Sequence, residues 1–144
     1  MSQTVDFGID LGTTNSAVAR MQKKGPALIR SRSQSPVFPS AVTRNRAGQV
    51  LVGDDALRDP DLAATRAFKR LMGTTNSVPL WDGSQWKPEQ LSAEVLKDLK
   101  AAVKRRYDED LVHVVITVPA MFQQPQCEAT HRAAELAGLE ALAL

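Results

Sequence analysis

The amino-acid sequence predicts an α/β fold with a mixed sheet, and three observations carry that reading. The N-terminal residues alternate apolar and polar positions with the period of two that marks strands. The stretch "PEQLSAEVLKDLKAAVKRRY" repeats its apolar residues at 3.6-residue spacing, as an amphipathic helix does. The end of the chain then runs apolar strand, helix, apolar strand, which is the grammar of an α/β sheet.

The elements follow in order. Val5, Phe7, Ile9 and Leu11 alternate with Asp6, Gly8 and Asp10, so Gly8 and Asp10 share one face of a first strand that buries a carboxylate between apolar neighbours. After Gly12-Thr13-Thr14 the chain returns as "NSAVARM", and after Lys23-Lys24-Gly25 as "PALIR", giving a meander. "PVFPSAVTRNRAGQVLVG" predicts an extended region with a hairpin around Asn45 to Gly48. "DPDLAATRAFKRLMG" predicts a short helix closed by Gly73, and Thr74 to Lys87 is polar and turn-rich. Pro88 opens the long helix, where its missing N–H costs nothing. "LVHVVITVP" is nearly all apolar and β-branched, as a strand covered on both faces would be, and Pro119 ends its ladder. "QPQCEATHRAAELAG" predicts a helix capped by Gly138, and "LEALAL" opens another strand.

Bulk properties narrow the function. A chain of 144 residues with 43% apolar and 24% charged residues fits one soluble domain. Its net charge of +2 gives no basic stripe, so nucleic acid is not the expected partner. No stretch is long and apolar enough for a membrane span, nothing resembles a signal peptide, and the single cysteine, Cys127, has no internal disulfide partner. A cytoplasmic location is the expectation.

The chemistry concentrates in "DFGIDLGTTNSAVAR". In "DLGTT" a glycine able to take φ > 0 lets a phosphate approach the backbone, while N–H groups and two hydroxyls supply donors. Asp10 would then face a hydrated magnesium ion, which takes one or two protein carboxylates and keeps several waters. The pattern G-x-x-x-x-G-K-[ST] is absent, so this is not a Walker loop. The competing reading is a plain hairpin whose Gly and Thr residues satisfy turn geometry.

"GIDLGTTNS" resembles the first phosphate loop of the seventy-kilodalton heat-shock chaperones, the DnaK type; related loops occur in sugar kinases and actin-like proteins. "FKRLMG" at Phe68 to Gly73 and "VVITVPAMF" at Val114 to Phe122 resemble further chaperone motifs in the same order, with "PSAVT" and "VLVGDDA" between them and "AELAGLE" after. The resemblance covers essentially the whole chain. It implies an actin-like ATPase (ribonuclease H-like) fold, first lobe only. Residues 1–38 and 110–144 would form its inner subdomain and residues 39–109 its outer one, with the second lobe and the substrate-binding domain absent.

The resemblance also implies roles. Gly12, Thr13, Thr14 and Asn15 would line the phosphates of ATP or ADP, Asp10 would hold Mg2+ through water, and Lys69 would be the catalytic lysine. A cation there can orient the attacking water and offset charge during phosphoryl transfer. Read without the family, Lys69 is a solvated helix lysine beside Arg66 and Arg70. Pro119 resembles a proline linking the nucleotide site to the outer surface of the lobe, and Cys127 stands where the family has arginine, so both belong to a possible allosteric relay. Met121 replaces an aromatic residue. A thiol cannot make the planar charged hydrogen bonds of a guanidinium, so a relay through Cys127 is lost or rebuilt; as a residue, Cys127 reads as small, buried and helical.

The parent would be an ATP-dependent chaperone that binds and releases unfolded polypeptides, served by a J-domain co-chaperone and a nucleotide-exchange factor, and the short link from Gly73 to Pro88 suits a divergent bacterial paralogue. The apolar ending is expected of a chain cut inside a larger domain. With half a site, this chain would hydrolyse ATP negligibly. The alternatives are a sugar-kinase-type phosphotransferase fragment and an actin-like, nucleotide-dependent filament protein. His113 and His131 read as structural. Two basic sets, Lys23, Lys24, Arg30 and Arg32 and then Lys104, Arg105 and Arg106, read as solvated faces. Trp81 and Trp86 read as loop anchors.

Overall fold

The computed structural model describes residues 6–143, so Val5 of the expected first strand and Leu144 of the last lie outside the described residues. Ten strands, β1 (Phe7–Asp10), β2 (Asn15–Gln22), β3 (Gly25–Leu28), β4 (Phe38–Pro39), β5 (Val42–Arg44), β6 (Val50–Val52), β7 (Val78–Pro79), β8 (Gln85–Trp86), β9 (His113–Thr117) and β10 (Glu140–Ala143), combine with three helices. These are α1 (Asp54–Leu57), α2 (Pro88–Tyr107) and α3 (Gln124–Leu136).

The main sheet has the order β10-β9-β1-β2-β3, with β4 added beside β2. β1 and β2 pair antiparallel, Asp10 opposite Ala17, and β2 and β3 continue the meander. β9 enters parallel to β1, Asp10 opposite Thr117, and β10 lies parallel to β9. The sheet is therefore mixed because the local hairpins and the strand-helix-strand unit meet along β1. The second half of the chain closes onto the first at that seam.

Period-two burial sets the inner face of the sheet. Phe7, Ile9, Val18, Val114 and Ile116 are buried there, and α2 and α3 pack against each other with Leu91, Val95, Leu96, Leu99, Val103, Ala129 and Ala133 in the same core. α2 spans the residues its periodicity predicts, with Pro88 in its first turn and Asp108 in the left-handed region closing it through an N–H to the Lys104 carbonyl. Gly138, at φ 75°, follows α3, and the Leu139 N–H reaches back 2.8 Å to the Ala134 carbonyl.

Three expectations are corrected here. Residues 59–73 form no continuous helix. Two single-turn 3-10 pieces, Pro60–Leu62 and Phe68–Leu71, are separated by Ala63 and Ala67 at positive φ, because tertiary contacts override helix propensity. β9 buries Val114 and Ile116, but His113 and Val115 are half-buried and Thr117 exposed, so one face alone is sealed. Asp10 is exposed at the end of β1 rather than buried, since its side of the strand faces away from the helices.

The expected hairpin after β5 forms, with the Asn45 side chain accepting from the Gln49 N–H at 2.9 Å. The tryptophans do anchor loops: Trp81 Nε1 donates to the Arg44 carbonyl at 2.7 Å, and the Arg44 guanidinium lies 5.4 Å from the centre of the Trp86 ring.

Candidate functional site

The hairpin between β1 and β2 is tight for a specific reason. Gly12 is absent from the glycines with positive φ, so the expected left-handed turn is corrected: glycine is required there because a Cβ would overlap the Asn15 carbonyl oxygen. The backbone at Gly12 folds directly onto Asn15, leaving Thr13 half-buried and Thr14 and Asn15 exposed around it.

A serine that the sequence pattern did not single out braces this hairpin. Ser40 is 2% exposed; its hydroxyl donates to the Gly12 carbonyl at 2.9 Å, and its N–H donates to the Thr14 carbonyl at 2.9 Å. Ser16 Oγ lies 2.8 Å from Ser40 Oγ, and because Ser40 spends its proton on Gly12, Ser16 is the donor of that pair. Asp10 is braced from the other side, with Thr117 Oγ1 3.3 Å from its Oδ1 and 3.4 Å from the Ile9 carbonyl.

Lys69 comes to the same hairpin from the 3-10 turn Phe68–Leu71. It is 7% exposed, its ammonium donates to the Leu11 carbonyl, and it sits 5.4 Å from the centre of the Phe122 ring. Burial pushes its pKa below the ordinary lysine value, and the Asp10 carboxylate works in the opposite direction. The solvated-lysine reading does not describe this side chain. Gly73 sets the approach of the segment: at φ 80°, a Cβ there would come within 2.9 Å of the Pro125 backbone carbon at the start of α3.

Thr13, Lys69, Pro119 and Phe122 line one cavity of about 470 Å³, with Arg70, Met121 and Gln126 at its sides. Pro119 thus shares a wall with Lys69, and Met121 is 82% exposed beside it. Cys127 does not line the cavity; it is half-buried in the first turns of α3, not the fully buried residue its position implied, because that face of the helix retains solvent contact. Ser16, Ser40, Thr117 and Phe122 are the site residues that spacing did not reveal. They come from two strands and two loops, and only the fold joins them.

The donor set fits a phosphate carried with magnesium: hard oxygens at Asp10, Thr13 and Thr14, a backbone a Cβ would obstruct, and an ammonium alongside. Among the described residues no group of three or more His, Cys, Asp or Glu side chains is placed to hold a metal by itself. His113 instead faces Glu140 at 3.3 Å.

A mixed sheet with a phosphate-compatible hairpin at the end of β1 defines a class, and residues 6–144 match the family described as Hsp70 protein. The chain belongs to the Hsp70 family, which implies an actin-like ATPase fold. It is 40% identical to the chaperone protein DnaK of Mycoplasmopsis pulmonis and 38% identical to that of Mycoplasmopsis agalactiae, each over 99% of this chain. The DnaK of Mycoplasmopsis synoviae is 37% identical over the same share. The chain spans 24% of the length of these curated relatives.

Proposed function

We propose that this chain is the first lobe of the ATPase domain of an ATP-dependent chaperone, and that it carries one wall of the nucleotide site. Residues 1–38 and 110–144 form the inner subdomain in this reading, and residues 39–109 the outer one. The observation that carries it is the meeting of Lys69 with the Leu11-Gly12 backbone, which brings a buried cation to a glycine-dependent hairpin. Membership of the Hsp70 family supports the chaperone over the sugar-kinase and actin-like filament alternatives.

Each residue then has a task. Gly12, Thr13, Thr14 and Asn15 bind phosphate oxygens through N–H and hydroxyl donors, and Ser40 and Ser16 keep that hairpin preorganised. Asp10, steadied by Thr117, holds Mg2+ through water, and the ion when bound neutralises phosphate charge. Lys69 acts as the catalytic residue by orienting the attacking water; its lowered pKa reflects a desolvated ammonium whose field is weakly screened. Pro119 shares a wall with Lys69, which supports its part in coupling nucleotide to the lobe surface, whereas Cys127 lies outside that wall. In the complete chaperone, ATP would govern the binding of unfolded polypeptide with a J-domain co-chaperone and a nucleotide-exchange factor.

Lys69→Ala in the complete protein tests the reading. Turnover is expected to fall by about 10²-fold or more while Mg-ATP binding persists; unchanged turnover would remove Lys69 from catalysis. The 144-residue chain alone is expected to hydrolyse ATP negligibly, because one wall cannot exclude solvent. Micromolar Mg-ATP affinity with steady turnover by this chain would overturn the half-site assignment.

A further inference from the structure

The arginines of the two basic sets, which read separately as solvated faces, meet in the fold. Arg30 and Arg32 from the segment after β3, and Arg105 and Arg106 from the last turn of α2, line a groove of about 540 Å³. Its apolar part is made by Leu28, 57% exposed, with Ile29 and Ala102. No carboxylate among the described residues lines it. Among the described residues Arg30, Arg105 and Arg106 have no ion-pair partner, and Arg32, itself largely in solvent, reaches the less exposed Asp55 only at 3.7 Å.

We propose that this groove is a binding site for a multivalent oxyanion of the oligophosphate class, separate from the nucleotide cradle. It shares no lining residue with the cavity around Lys69. Two of the four guanidinium groups are held in place before any ligand arrives. Arg30 Nη1 donates to the Gln34 carbonyl at 2.8 Å, with Gln34 in the left-handed region at φ 65°, and Arg106 stacks 4.7 Å from the centre of the Tyr107 ring. Guanidinium forks match phosphate oxygens in pairs, so preorganised arginines select tetrahedral or planar oxyanions over chloride. The negative end of the α2 dipole offsets part of their charge, and the carboxylates of Asp54, Asp55 and Asp98 stand in the adjoining pocket beside Arg32 and Arg105. Four guanidinium groups around one groove outweigh these opposing charges, and because the attraction grows with the charge of the anion, a multivalent oxyanion is held more tightly than a single charge. The volume is that of a small-ligand site rather than of a flat macromolecular surface.

The experiment is a calorimetric titration of the 144-residue chain with sodium tripolyphosphate in the absence of magnesium, paired with NMR of the arginine Nε–H groups. Binding is expected with movement of the Arg30, Arg32, Arg105 and Arg106 signals, with orthophosphate at least tenfold weaker. Arg32→Glu combined with Arg105→Glu is expected to weaken tripolyphosphate at least tenfold, while in the parent chain the backbone amide signals of Thr13, Thr14 and Asn15 do not move. The arginine signals of the parent chain give the answer even where the double variant is unstable. Movement of the Thr13, Thr14 and Asn15 amide signals with still arginine signals would place the anion in the cradle and overturn the proposal, as would absence of binding at millimolar concentration. Tighter binding of a glutamate-rich peptide at the same arginines would also overturn it, by assigning the groove to protein carboxylates.

Discussion

The α2–α3 layer, which lies against the main sheet, and the segment from Gly53 to Gly73, which lies against α2 and the β5–β6 pair, are held by opposite means. The helices bury continuous stripes, with Leu91, Val95, Leu96, Leu99 and Val103 repeating along α2. The segment has short turns, Ala63 and Ala67 in the left-handed region, and point contacts such as Gly73 on Pro125 and Lys69 on Leu11. Stability is spread over many contacts in the first region and concentrated in a few in the second. The residue proposed for catalysis hangs on the second.

The sharpest way to break this contrast is Leu96→Ala, which empties a fully buried position of α2. A loss of about 2–5 kcal/mol in urea unfolding is expected; a loss below 1 kcal/mol would mean the layer is loosely packed. Gly73→Ala strikes the other region, where a Cβ would press on Pro125 at 2.9 Å from a backbone at φ 80°. It is expected to cost about 1–3 kcal/mol by the same measurement and to displace the Lys69 segment. An unaltered unfolding midpoint would show that the segment moves freely over α3.

Asp98 lies on the seam between the two regions, its Oδ2 2.9 Å from where a Gly53 Cβ would stand. Burial raises its pKa to about 6; Arg105 and Arg32 oppose the shift, and Asp55 and Asp54 add to it. The folded chain therefore holds this proton up to about pH 6, while the unfolded chain releases it near the ordinary 3.8. Its contribution to stability is full below that lower value and is lost as pH rises through 6. Asp98→Asn is expected to flatten this limb and to stabilise the chain at pH 7 by about 1–2 kcal/mol, less than the full linkage value because the carboxyl keeps solvent contact. Parallel stability curves for the two proteins from pH 4 to 7 would sink the assignment.

The smallest effects carry the cleanest sign. Ala101→Gly on the exposed side of α2 is expected to lose about 1 kcal/mol. Ala67→Gly is expected to gain about 0.5 kcal/mol, because φ 59° is strained for alanine and free for glycine. The same exchange with the same sign at both positions would erase the distinction.

This division also explains what could be read from the chain before folding was considered. α2 was legible to its ends because a buried stripe leaves a 3.6-residue period, β1 because alternation marks a half-covered strand, and β9 as an apolar, β-branched run that overstated how much of it is covered. Residues 59–73 were not, since "DLAATRAFKRL" has acceptable helix formers and nothing local in it announces that Ala63 and Ala67 turn left-handed. The role of Gly12 was seen, but its cause was misjudged: the constraint is the Asn15 carbonyl, which is a matter of space rather than of φ. Ser40 left no signal at all, because its partners Gly12 and Thr14 stand far upstream and one serine among several carries no period.

The parallel pairing of β1 with β9 has a consequence in time. Asp10 cannot meet Thr117 until the ribosome has made both, and at about 5–20 residues per second that interval is roughly 5–20 s. During it β1 has only the β2 hairpin beside it, and its other edge is unpaired with Phe7 and Ile9 uncovered. The chain thus leaves the ribosome with a strand edge that only its own second half can cover.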